Sequence, residues 1–427
     1  MSERRVAITG MGLVCALGLD RESSWRALCE GRCGIGELTL FDSTGYRSRM
    51  VAEVPPYDVA AHFSPRERRR YSRADQIAVL ATAEALTDAG LFASGIPRSS
   101  IGVFFGVGTG DRLRNEVYYT EVLARGFRRA HPSKIVNCLN SASADPVAQR
   151  FGLMGPRACL NSACSSSAMA IGYGADLIRS GRIQAAVCGG SESLCRSALS
   201  GFNALRVVDV EPCRPFDVSR NGMNIGEAGA ILILEDMDRA LARNAHVYAE
   251  IAGYAAYCEA YHATAPEPEG IAVAALLQAA LAASGVSPDE VDHINAHGTA
   301  TPLNDRTEAR GIRRVFGDRT GDIPVTSIKS MLGHCLGAAS AVEAVTLALT
   351  IERGVIPPTI HHTQTDAQCP IDVVANQSRS QPVRCAVSTS LAFGGNDAAI
   401  VMRRANQAVP PSTPVTHPVT ELVSRGR

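Results

Sequence analysis

Short runs of apolar, often β-branched residues alternate along this chain with longer stretches that are rich in alanine. Apolar runs bounded by turn residues are typical of strands buried on both faces, and the alanine-rich stretches are long enough to form helices. The pattern predicts strands at residues 6–9, 101–106, 185–190, 230–235, 291–296, 325–328, 386–390 and 398–402. It predicts helices at residues 74–89, 165–180, 270–284 and 338–352. Strands layered between helices indicate an α/β fold.

The predicted helix at residues 165–180 is apolar or small on every side, since residues 168–175 read AMAIGYGA. A helix without a polar face lies inside a protein. The helix at residues 338–352 also follows a turn of small residues, so the two halves of the chain resemble each other weakly. We therefore predict a duplicated α/β unit, with halves at residues 1–250 and 251–405. Residues 406–427 are rich in Pro, Ser and Thr without periodicity, which predicts a flexible tail.

The composition is that of an ordinary globular protein, with 427 residues, 46% hydrophobic and 20% charged. The 42 basic residues balance the 42 acidic ones, so net charge gives no reason to expect nucleic acid or a membrane as partner. No apolar run could span a bilayer and no signal-peptide pattern begins the chain, which favours a cytoplasmic location. The 13 cysteines lack CxxC or metal-ligand spacing, which indicates reduced thiols rather than a disulfide framework.

One cysteine differs from the others, because it lies in a turn of small residues immediately before the buried helix. Cys164 stands in the stretch LNSACSSS at residues 160–167. The positive end of a helix dipole favours the thiolate, and free N–H groups in the first turn can bind an oxyanion. Small neighbours such as Ala163 leave room for an acyl chain to reach the sulfur. Local context alone is equally compatible with a core cysteine at the start of a helix.

Two histidines lie in glycine-rich turns further along the chain. His297 begins the motif HGTAT, in which Thr299 and Thr301 offer hydroxyls to an amide-containing arm, and His334 ends the motif KSMLGH. A lone histidine is more often structural than catalytic, but turns of this form are a much more specific signal. Lys329 follows an apolar strand and could hold a carboxylate or orient a neighbouring histidine. One thiol and two imidazoles on tight turns indicate thioester chemistry.

These motifs resemble those of the elongating β-ketoacyl-acyl-carrier-protein synthases, the ketosynthases of fatty-acid and type II polyketide pathways, which include aryl-polyene enzymes. The matching motifs are ACSS at 163–166, HGTAT at 297–301, KSMLGH at 329–334 and FGG at 393–395, in the family's order. The resemblance extends from residue 6 to about residue 402. It implies the fold of the thiolase superfamily, in which duplicated α/β halves pack as five layers, αβαβα, and it implies a dimer.

The resemblance also implies roles for individual residues. Cys164 would accept an acyl group, while His297 and His334 would promote decarboxylation of a malonyl unit and stabilise the enolate that attacks the acyl thioester. Lys329 and Glu343 match a pair that supports the second histidine. The backbone N–H of Phe393, the gating residue, would join that of Cys164 in an oxyanion hole. The resemblance further assigns a set of substrate-binding residues: Thr299, Thr301, Phe393, Thr109 and Phe202.

Three related classes of protein fit these motifs less well. A thiolase carries a second cysteine in its C-terminal glycine-rich loop, whereas residues 390–396 read SLAFGGN and Cys385 lies on the strand before them. A priming ketosynthase uses a Cys–His–Asn set, and a chain-length factor lacks the nucleophilic cysteine.

The glycine-rich loop at residues 391–395 departs from the family's FGFGG, since Leu391 and Ala392 replace an aromatic residue and a glycine. Alanine is less free than glycine to adopt positive φ, so the gate is expected to move differently.

The acyl chain is predicted only in broad terms. Thr109 stands where bulky aliphatic residues often line the acyl pocket, and a polar wall favours a specialised type II polyketide or polyene pathway. Housekeeping fatty-acid elongation is one alternative, and a ketosynthase subunit paired with a chain-length factor is another.

No metal, nucleotide or flavin motif is apparent, since GVGTG at 106–110 lacks the GxGxxG spacing. We expect no bound cofactor, because the phosphopantetheine arm arrives on the carrier protein.

The expected partner is acyl carrier protein, which is strongly acidic. A run of arginines between residues 65 and 73 is most simply a solvated face, but several of its members match docking positions of the family. Electrostatic docking of this kind would speed the association of the two proteins, and the effect would weaken as the salt concentration rises. The predicted docking residues are Arg66, Arg68, Arg69, Arg128, Arg129 and Arg206.

Overall fold

A computed structural model describes residues 4–110, 112–130 and 139–405, so the predicted tail at 406–427 lies outside the described residues. The strands are β1 (Val6–Cys15), β2 (Ile35–Glu37), β3 (Met50–Ala52), β4 (Ile101–Gly106), β5 (Arg157–Leu160), β6 (Ala185–Glu192), β7 (Ile225–Gly226), β8 (Ala228–Asp236), β9 (Ala249–Cys258), β10 (His293–Asn295), β11 (Pro324–Thr326), β12 (Val355–Ile356), β13 (Asp372–Val373), β14 (Arg379–Ser380), β15 (Cys385–Ser390) and β16 (Asn396–Arg403).

The α-helices are α1 (Arg21–Cys29), α2 (Val59–His62), α3 (Pro65–Arg70), α4 (Arg73–Asp88), α5 (Arg112–Arg125), α6 (Asp145–Phe151), α7 (Ser166–Arg179), α8 (Arg196–Ala204), α9 (Met237–Ala242), α10 (Ile271–Ser284), α11 (Pro302–Phe316), α12 (Lys329–Leu332) and α13 (Ala339–Arg353). Each predicted helix is present, with both ends within one residue of the expected position. Among the described residues, no helix is long and apolar enough to cross a membrane.

Each half of the chain builds a sheet with the same topology. The first sheet has the order β5-β4-β6-β8-β1, and the second has the order β11-β10-β15-β16-β9 with β13 added beyond β11. In both sheets the first pairs are parallel and the later pairs antiparallel. The sheets meet where β1 pairs with β9 in antiparallel register from Val6↔Ile251 to Ile8↔Ala249. The duplication expected from the sequence is therefore a repeat of topology.

The helices complete five layers around these two sheets. Helix α4 packs on β1 and β8 of the first sheet, and α10, which also contacts α11, packs on β9 and β16 of the second. Helices α7 and α13 contact each other and lie between the sheets, since α7 contacts β4, β6, β9 and β16 while α13 contacts β8 and β15. Residues 339–351 of α13 are all buried, as expected for a helix enclosed on every side. The predicted αβαβα arrangement is confirmed.

Some elements differ from the sequence-based expectation for identifiable reasons. Strand β1 continues to Cys15 through glycines that interrupt the apolar run but leave room for α4 against the strand. Strand β9 was missed because its second half is exposed and carries no continuous apolar run. Helix α11 was missed because it is amphipathic and charged on one face rather than rich in alanine. The strand predicted at residues 325–328 ends at Thr326, where the chain turns into α12.

Candidate active site

The candidate nucleophile lies in a tight turn that runs directly into the central helix α7. Cys164 is the middle residue of a 3₁₀ turn at Ala163–Ser165, and α7 begins at the next residue. Ala163 has φ +53°, a left-handed conformation that is uncommon for a residue with a side chain. The Ser166 hydroxyl donates to the Ala163 carbonyl (2.6 Å) and accepts from the Ser162 N–H (2.9 Å). These bonds fix the sulfur at the start of the helix.

A second turn of the same kind leads into α13 and faces the first. Leu336 has φ +48° and opens a 3₁₀ turn that runs into α13. Serines join the two turns, since the Ser340 hydroxyl donates to the Cys164 carbonyl (3.0 Å) and the Ala341 N–H donates to Ser167 Oγ (2.9 Å). The amino ends of α7 and α13 therefore meet at the centre of the molecule. Residues just before α13 are held opposite Cys164.

This meeting point brings together the three predicted residues Cys164, His297 and His334. The Nε2 atom of His334 lies 3.0 Å from Cys164 Sγ. The two imidazole rings are 5.3 Å apart between centroids and nearly perpendicular, and ligand atoms of all three side chains lie within 4.8 Å of one another. All three residues are buried. The structure thus joins a thiol from the first half with two imidazoles from the second.

The hydrogen bonds of His334 determine its tautomer. The backbone N–H of Leu336 donates to His334 Nδ1 (3.2 Å), so a neutral imidazole carries its proton on Nε2. Burial, followed by the positive charge of Lys329, lowers the pKa of both His297 and His334 well below the usual value. His334 is therefore a neutral donor that points its N–H at Cys164 Sγ. The sulfur or an oxygen bound beside it would accept that hydrogen bond.

The same tautomer bears on metal binding. A cysteine with two histidines is a ligand set that zinc accepts, and these ligand atoms are close enough together to be considered. A histidine ligand must offer a lone pair to the metal, whereas Nε2 of His334 carries a proton while Nδ1 accepts from Leu336. The arrangement suits hydrogen-bond donation better than metal coordination.

Glu308, which the sequence analysis did not identify, holds the loop of His297. Its carboxylate accepts the backbone N–H groups of His297 (2.7 Å) and Gly298 (2.8 Å) and the hydroxyl of Thr389 (2.6 Å). Glu308 is fully buried on α11. Its inward orientation could be inferred only after α11 was known to be an amphipathic helix, and that helix was missed.

Lys329 is buried and not a surface lysine. Its ammonium group forms an ion pair and a hydrogen bond with Glu343, and the two side chains are 3% and 2% exposed. Burial raises the pKa of Glu343 to about 7, and the ammonium group opposes this rise. Lys329 begins α12 and Glu343 lies on α13, so the pair fixes the segment that carries His334 between them. This geometry agrees with the expectation that Lys329 holds a carboxylate.

The electrostatic environment of Cys164 differs from the expectation. A lowered thiol pKa was predicted from the start of the helix, but burial raises the pKa of Cys164 to about 12. The charge of Lys329 and a hydrogen bond from the backbone N–H of Phe393 oppose this rise without overcoming it. Burial away from water destabilises the thiolate more than the nearby positive charge stabilises it. The Cys164 side chain is therefore a thiol at neutral pH.

A cavity of about 260 Å³ leads to Cys164. Phe202 and Phe393, both predicted to bind substrate, line it with their rings 5.9 Å apart between centroids. Thr299 and Thr301 also line it, with their hydroxyl oxygens 3.0 Å apart. The remaining wall includes apolar side chains from four segments: Leu205, Val207, Met223, Leu303 and Leu391. A long, partly apolar arm with amide groups would fit this lining.

Thr109 does not belong to this cavity among the described residues. Its hydroxyl donates to the carboxylate of Glu192 (2.6 Å), which also accepts the backbone N–H groups of residues 108–110. Burial raises the pKa of Glu192 to about 7. Thr109 therefore serves to anchor its own loop, and the prediction of a polar pocket wall at this position is not supported by the structure. The inference about acyl chain type that depended on it loses this basis.

The predicted docking arginines are exposed but lie on separate segments. Arg66, Arg68 and Arg69 are on α3, and Arg128 and Arg129 lie in a short 3₁₀ turn. Two guanidinium nitrogens of Arg114 on α5 donate to the backbone carbonyls of Arg69 and Arg70, which joins α3 to α5.

Arg206 is the docking candidate nearest to the cavity in the chain, because its neighbours Leu205 and Val207 both line it. It is exposed and has φ +58°, a left-handed conformation. Arg206 therefore lies between two residues of the cavity wall. Any docking role for the arginines as a group remains a prediction.

Comparison with known proteins agrees with this geometry. Residues 3–240 match the family described as "Beta-ketoacyl synthase, N-terminal domain", and residues 248–363 match "Beta-ketoacyl synthase, C-terminal domain". The chain is 36% identical over 411 residues to "3-oxoacyl-[acyl-carrier-protein] synthase 2" of Synechocystis sp. (strain ATCC 27184 / PCC 6803 / Kazusa), covering 95% of this chain and 99% of that relative.

Two solved structures share both the fold and about a third of the sequence. The ishigamide ketosynthase/chain length factor superposes with a TM-score of 0.89 at 35% identity, covering 95% of this chain and 100% of that one. The complex of a type II polyketide synthase acyl-carrier protein with its ketosynthase bound to the hexaketide gives a TM-score of 0.85 at 32% identity, covering 95% and 100%.

Proposed function

This chain belongs to the β-ketoacyl synthase family of condensing enzymes, and we propose that Cys164, His297 and His334 carry out its decarboxylative Claisen condensation. The reaction extends an acyl group on Cys164 with a malonyl unit borne by acyl carrier protein, giving a 3-oxoacyl thioester. The observation that supports the assignment most directly is the 3.0 Å approach of His334 Nε2 to Cys164 Sγ, with His297 beside them in one buried cavity.

In the first step the acyl group moves from the carrier protein to Cys164. The sulfur attacks the thioester carbonyl, the bond to the pantetheine sulfur breaks, and the thiol proton leaves with the departing pantetheine thiol. The developing oxyanion can accept hydrogen bonds from the backbone N–H groups of Phe393 and Cys164. The contact between the Phe393 N–H and the sulfur supports this part of the proposal. The high thiol pKa means that proton loss and attack proceed together.

In the second step the malonyl thioester enters the same cavity. Its carbon–carboxylate bond breaks, carbon dioxide leaves, and the electron pair remains as an enolate. Neutral imidazoles that donate N–H groups stabilise the enolate oxygen without a metal, and the tautomer of His334 fits that role. The enolate carbon then bonds to the acyl carbon, the Cys164 sulfur leaves, and it regains a proton. We propose no bound cofactor, because the phosphopantetheine arm arrives with the carrier protein.

The proposed partners are acyl carrier protein and a second ketosynthase-type subunit. Helix α5 and the segment after it expose large apolar side chains, among them Leu123 at 88% and Phe127 at 74%. Exposed apolar surface of this size is typical of protein interfaces. A homodimer or a heterodimer with a chain-length factor would cover this apolar surface.

We place the protein in the cytoplasm, since its described cysteines are free thiols.

We propose a specialised type II polyketide or polyene pathway, with fatty-acid elongation as the second candidate. The similarity to a type II polyketide synthase ketosynthase bound to a hexaketide supports the first, and so does the similarity to the ishigamide ketosynthase/chain length factor. The 36% identity to a 3-oxoacyl-[acyl-carrier-protein] synthase 2 supports the second. The two candidates share every chemical step and differ only in the acyl chain that is accepted.

The proposal is tested by intact-mass analysis of the purified chain after incubation with acyl carrier proteins bearing either a saturated or a polyunsaturated chain. We expect the acyl mass on the wild type and on Cys258→Ser, which removes an exposed thiol, but not on Cys164→Ala. Addition of malonyl carrier protein should then release a product two carbons longer. The preferred acyl chain would separate the two pathways.

Absence of acyl transfer to the wild type, alone and after co-expression with a ketosynthase-like chain that lacks the cysteine, would contradict the proposed function. Labelling that persists in Cys164→Ala would show that another residue is the nucleophile. Either result would be independent of the choice between pathways.

A further inference from the structure

Two carboxyl groups face each other in the wall of the cavity, and neither belongs to the set of residues used in the chemistry above. Glu259 follows β9, and Asp397 lies at the start of β16, directly after the gate loop at residues 391–396. The Asp397 side chain is close enough to Glu259 for a hydrogen bond between them. Glu259 Oε1 and Asp397 Oδ2 are both buried, and no hydrogen-bond donor among the described residues reaches either of them. Two carboxylate oxygens are both acceptors, so only a shared proton can satisfy the contact.

The other oxygens of the pair are engaged with the backbone on either side of the contact. Asp397 Oδ1 accepts the N–H of Ala392 (2.8 Å), which closes the gate loop on itself. Glu259 Oε2 accepts the N–H of Glu267 (3.0 Å), which closes the segment at residues 259–267. Each carboxyl group thus organises one of the two facing segments. The proton between them joins the two segments.

Backbone hydrogen bonds reinforce the same junction. The Glu259 N–H donates to the Gly395 carbonyl (2.9 Å), and the Gly394 N–H donates to the Ala263 carbonyl (2.8 Å). A side chain at Gly395 would lie 2.8 Å from Glu259 Cβ, which shows how closely the segments approach. The gate loop is therefore docked on the segment at residues 259–267 along its whole glycine turn.

The gate loop contacts the nucleophile through its backbone. The Phe393 N–H donates to Cys164 Sγ, and the Ser165 hydroxyl donates to the Asn396 carbonyl. A displacement of the loop would remove the Phe393 donor from the place where an oxyanion forms. The position of that donor depends on the junction between Glu259 and Asp397.

We infer that Glu259 and Asp397 are positioning residues that share one proton, and that this proton holds the gate loop so that the Phe393 N–H stays at Cys164. The inference rests on the proposed function for its consequence in catalysis. Loss of the proton would leave two carboxylates opposed in a buried site, which would repel each other and drive the loop away. The pair would therefore make the oxyanion donor sensitive to alkaline pH.

The electrostatic surroundings favour retention of the proton. Burial, together with the nearby carboxylates of Glu259 and Glu308, raises the pKa of Asp397 to about 8. The Cys164 thiol is a further titratable group that interacts with Asp397, and His262 lines the same cavity. His262 Nδ1 accepts backbone N–H groups of Thr264 and Ala265. No basic side chain is among the charges that act most strongly on Asp397 within the described part of the chain.

The raised pKa of Asp397 determines how the stability of the protein changes with pH. The native state keeps a proton on Asp397 that the unfolded chain releases near pH 4, so the pair stabilises the fold fully at acidic pH. That contribution is lost as pH rises through about 8. The held position of the gate loop is lost over the same range as the last protons leave.

The test compares acylation of Cys164 by a small acyl thioester in wild type and in Asp397→Asn between pH 7 and 9. Asparagine can still accept from Ala392 and can donate an N–H to Glu259, but it does not titrate. We expect the ratio of wild-type to variant rate to fall about tenfold between these pH values, since about nine-tenths of the pairs lose the proton. The ratio cancels the titration of the Cys164 thiol itself. Glu259→Gln should give the same fall.

Glu267→Gln is the matched control, because its carboxylate lies on the same segment and accepts backbone N–H groups of Glu269 and Ile271. It should follow the wild-type profile. Thermal unfolding gives a second readout that does not depend on activity: between pH 6 and 9 the wild type should lose stability relative to Asp397→Asn.

A rate ratio that stays constant from pH 7 to 9 in proteins that do become acylated would overturn the inference and leave the proposed function intact. Absence of acylation of the wild type at every pH would instead contradict the proposed function. In that case the unfolding profiles alone decide whether the two carboxyl groups share a proton.

Discussion

Single atoms define the chemistry at the smallest scale, and the most informative of them is the proton on His334. The Leu336 N–H occupies Nδ1, so Nε2 must donate, and it donates toward Cys164. Burial beside Lys329 keeps this imidazole neutral. A neutral donor stabilises a developing oxygen anion but does not remove a proton from the thiol. His334 is therefore suited to the condensation step more than to activation of the nucleophile.

Replacement of this histidine should separate the two steps of the reaction. We expect His334→Ala to lower the rate of elongation about 10²- to 10³-fold, because one preorganised donor to the enolate oxygen is lost. Acyl transfer to Cys164 should persist, since its oxyanion is held by backbone N–H groups. Intact mass reports the acylation, and product analysis after addition of malonyl carrier protein reports the elongation.

His361→Asn provides the control for this experiment. His361 lies outside the cavity and has φ +62°, which asparagine tolerates better than most residues. It should retain both steps. Loss of acylation in His334→Ala equal to the loss of elongation would assign His334 to activation of the thiol instead.

At the scale of elements, glycines determine how closely helices approach the strands that position them. A side chain at Gly106 on β4 would lie 2.0 Å from the backbone nitrogen of Ser167 and 2.3 Å from the carbonyl carbon of Ser166. The amino end of α7 is thus packed directly against the strand. Since Cys164 precedes α7 by two residues, this contact fixes the depth of the nucleophile in the molecule.

A methyl group at this position should displace the helix. We expect Gly106→Ala to lower the free energy of unfolding by about 1–3 kcal/mol through overpacking, and to slow acylation of Cys164. Denaturant unfolding measures the first effect, and intact mass measures the second.

Gly201 on α8 serves as the comparison, because a side chain there would meet none of the described residues within 4 Å. Gly201→Ala should be neutral or stabilising by about 0.5–1 kcal/mol, since alanine favours the helix. Equal destabilisation by both substitutions would argue against a specific packing role for Gly106.

At the scale of the whole molecule, the site exists only because the two halves pack together. Cys164 comes from the first half, while His297, His334 and Phe393 come from the second. The sheets are joined through β1 and β9, and the central helices are joined by serine hydrogen bonds. Exposed arginines lie on α3 and elsewhere around this body, where a large acidic partner could reach them.

Removal of two of these arginines tests the docking prediction. Arg68→Ala combined with Arg69→Ala should raise KM for acyl carrier protein about two- to tenfold, with the difference shrinking at high salt. Acylation by a small thioester should be unaffected, since it needs no carrier protein. Arg182→Ala with Arg384→Ala removes the same charge from exposed positions outside the cavity lining and should leave KM unchanged. An equal loss with both substrates would contradict docking on α3.

The sequence by itself determined the α/β class, the central helices, the duplication and the three residues that meet at the site. Each of these follows from local information: an apolar run, a helix without a polar face, or a turn motif around a thiol or an imidazole. The match to a known family added the order of layers. The positions of Cys164, His297 and His334 could be proposed because their motifs are short and continuous.

Only the tertiary structure decided the properties that depend on contacts between distant segments. Burial raises the pKa of Cys164 against the effect of its helix, and Glu192 holds the Thr109 hydroxyl that was expected in the pocket wall. Glu308 and the pair of Glu259 with Asp397 carry no local signal, since an acidic residue in a sequence is equally compatible with a solvated surface. Desolvation and the approach of like charges arise when residues that are distant in the sequence share one enclosed space, and no local pattern specifies that space.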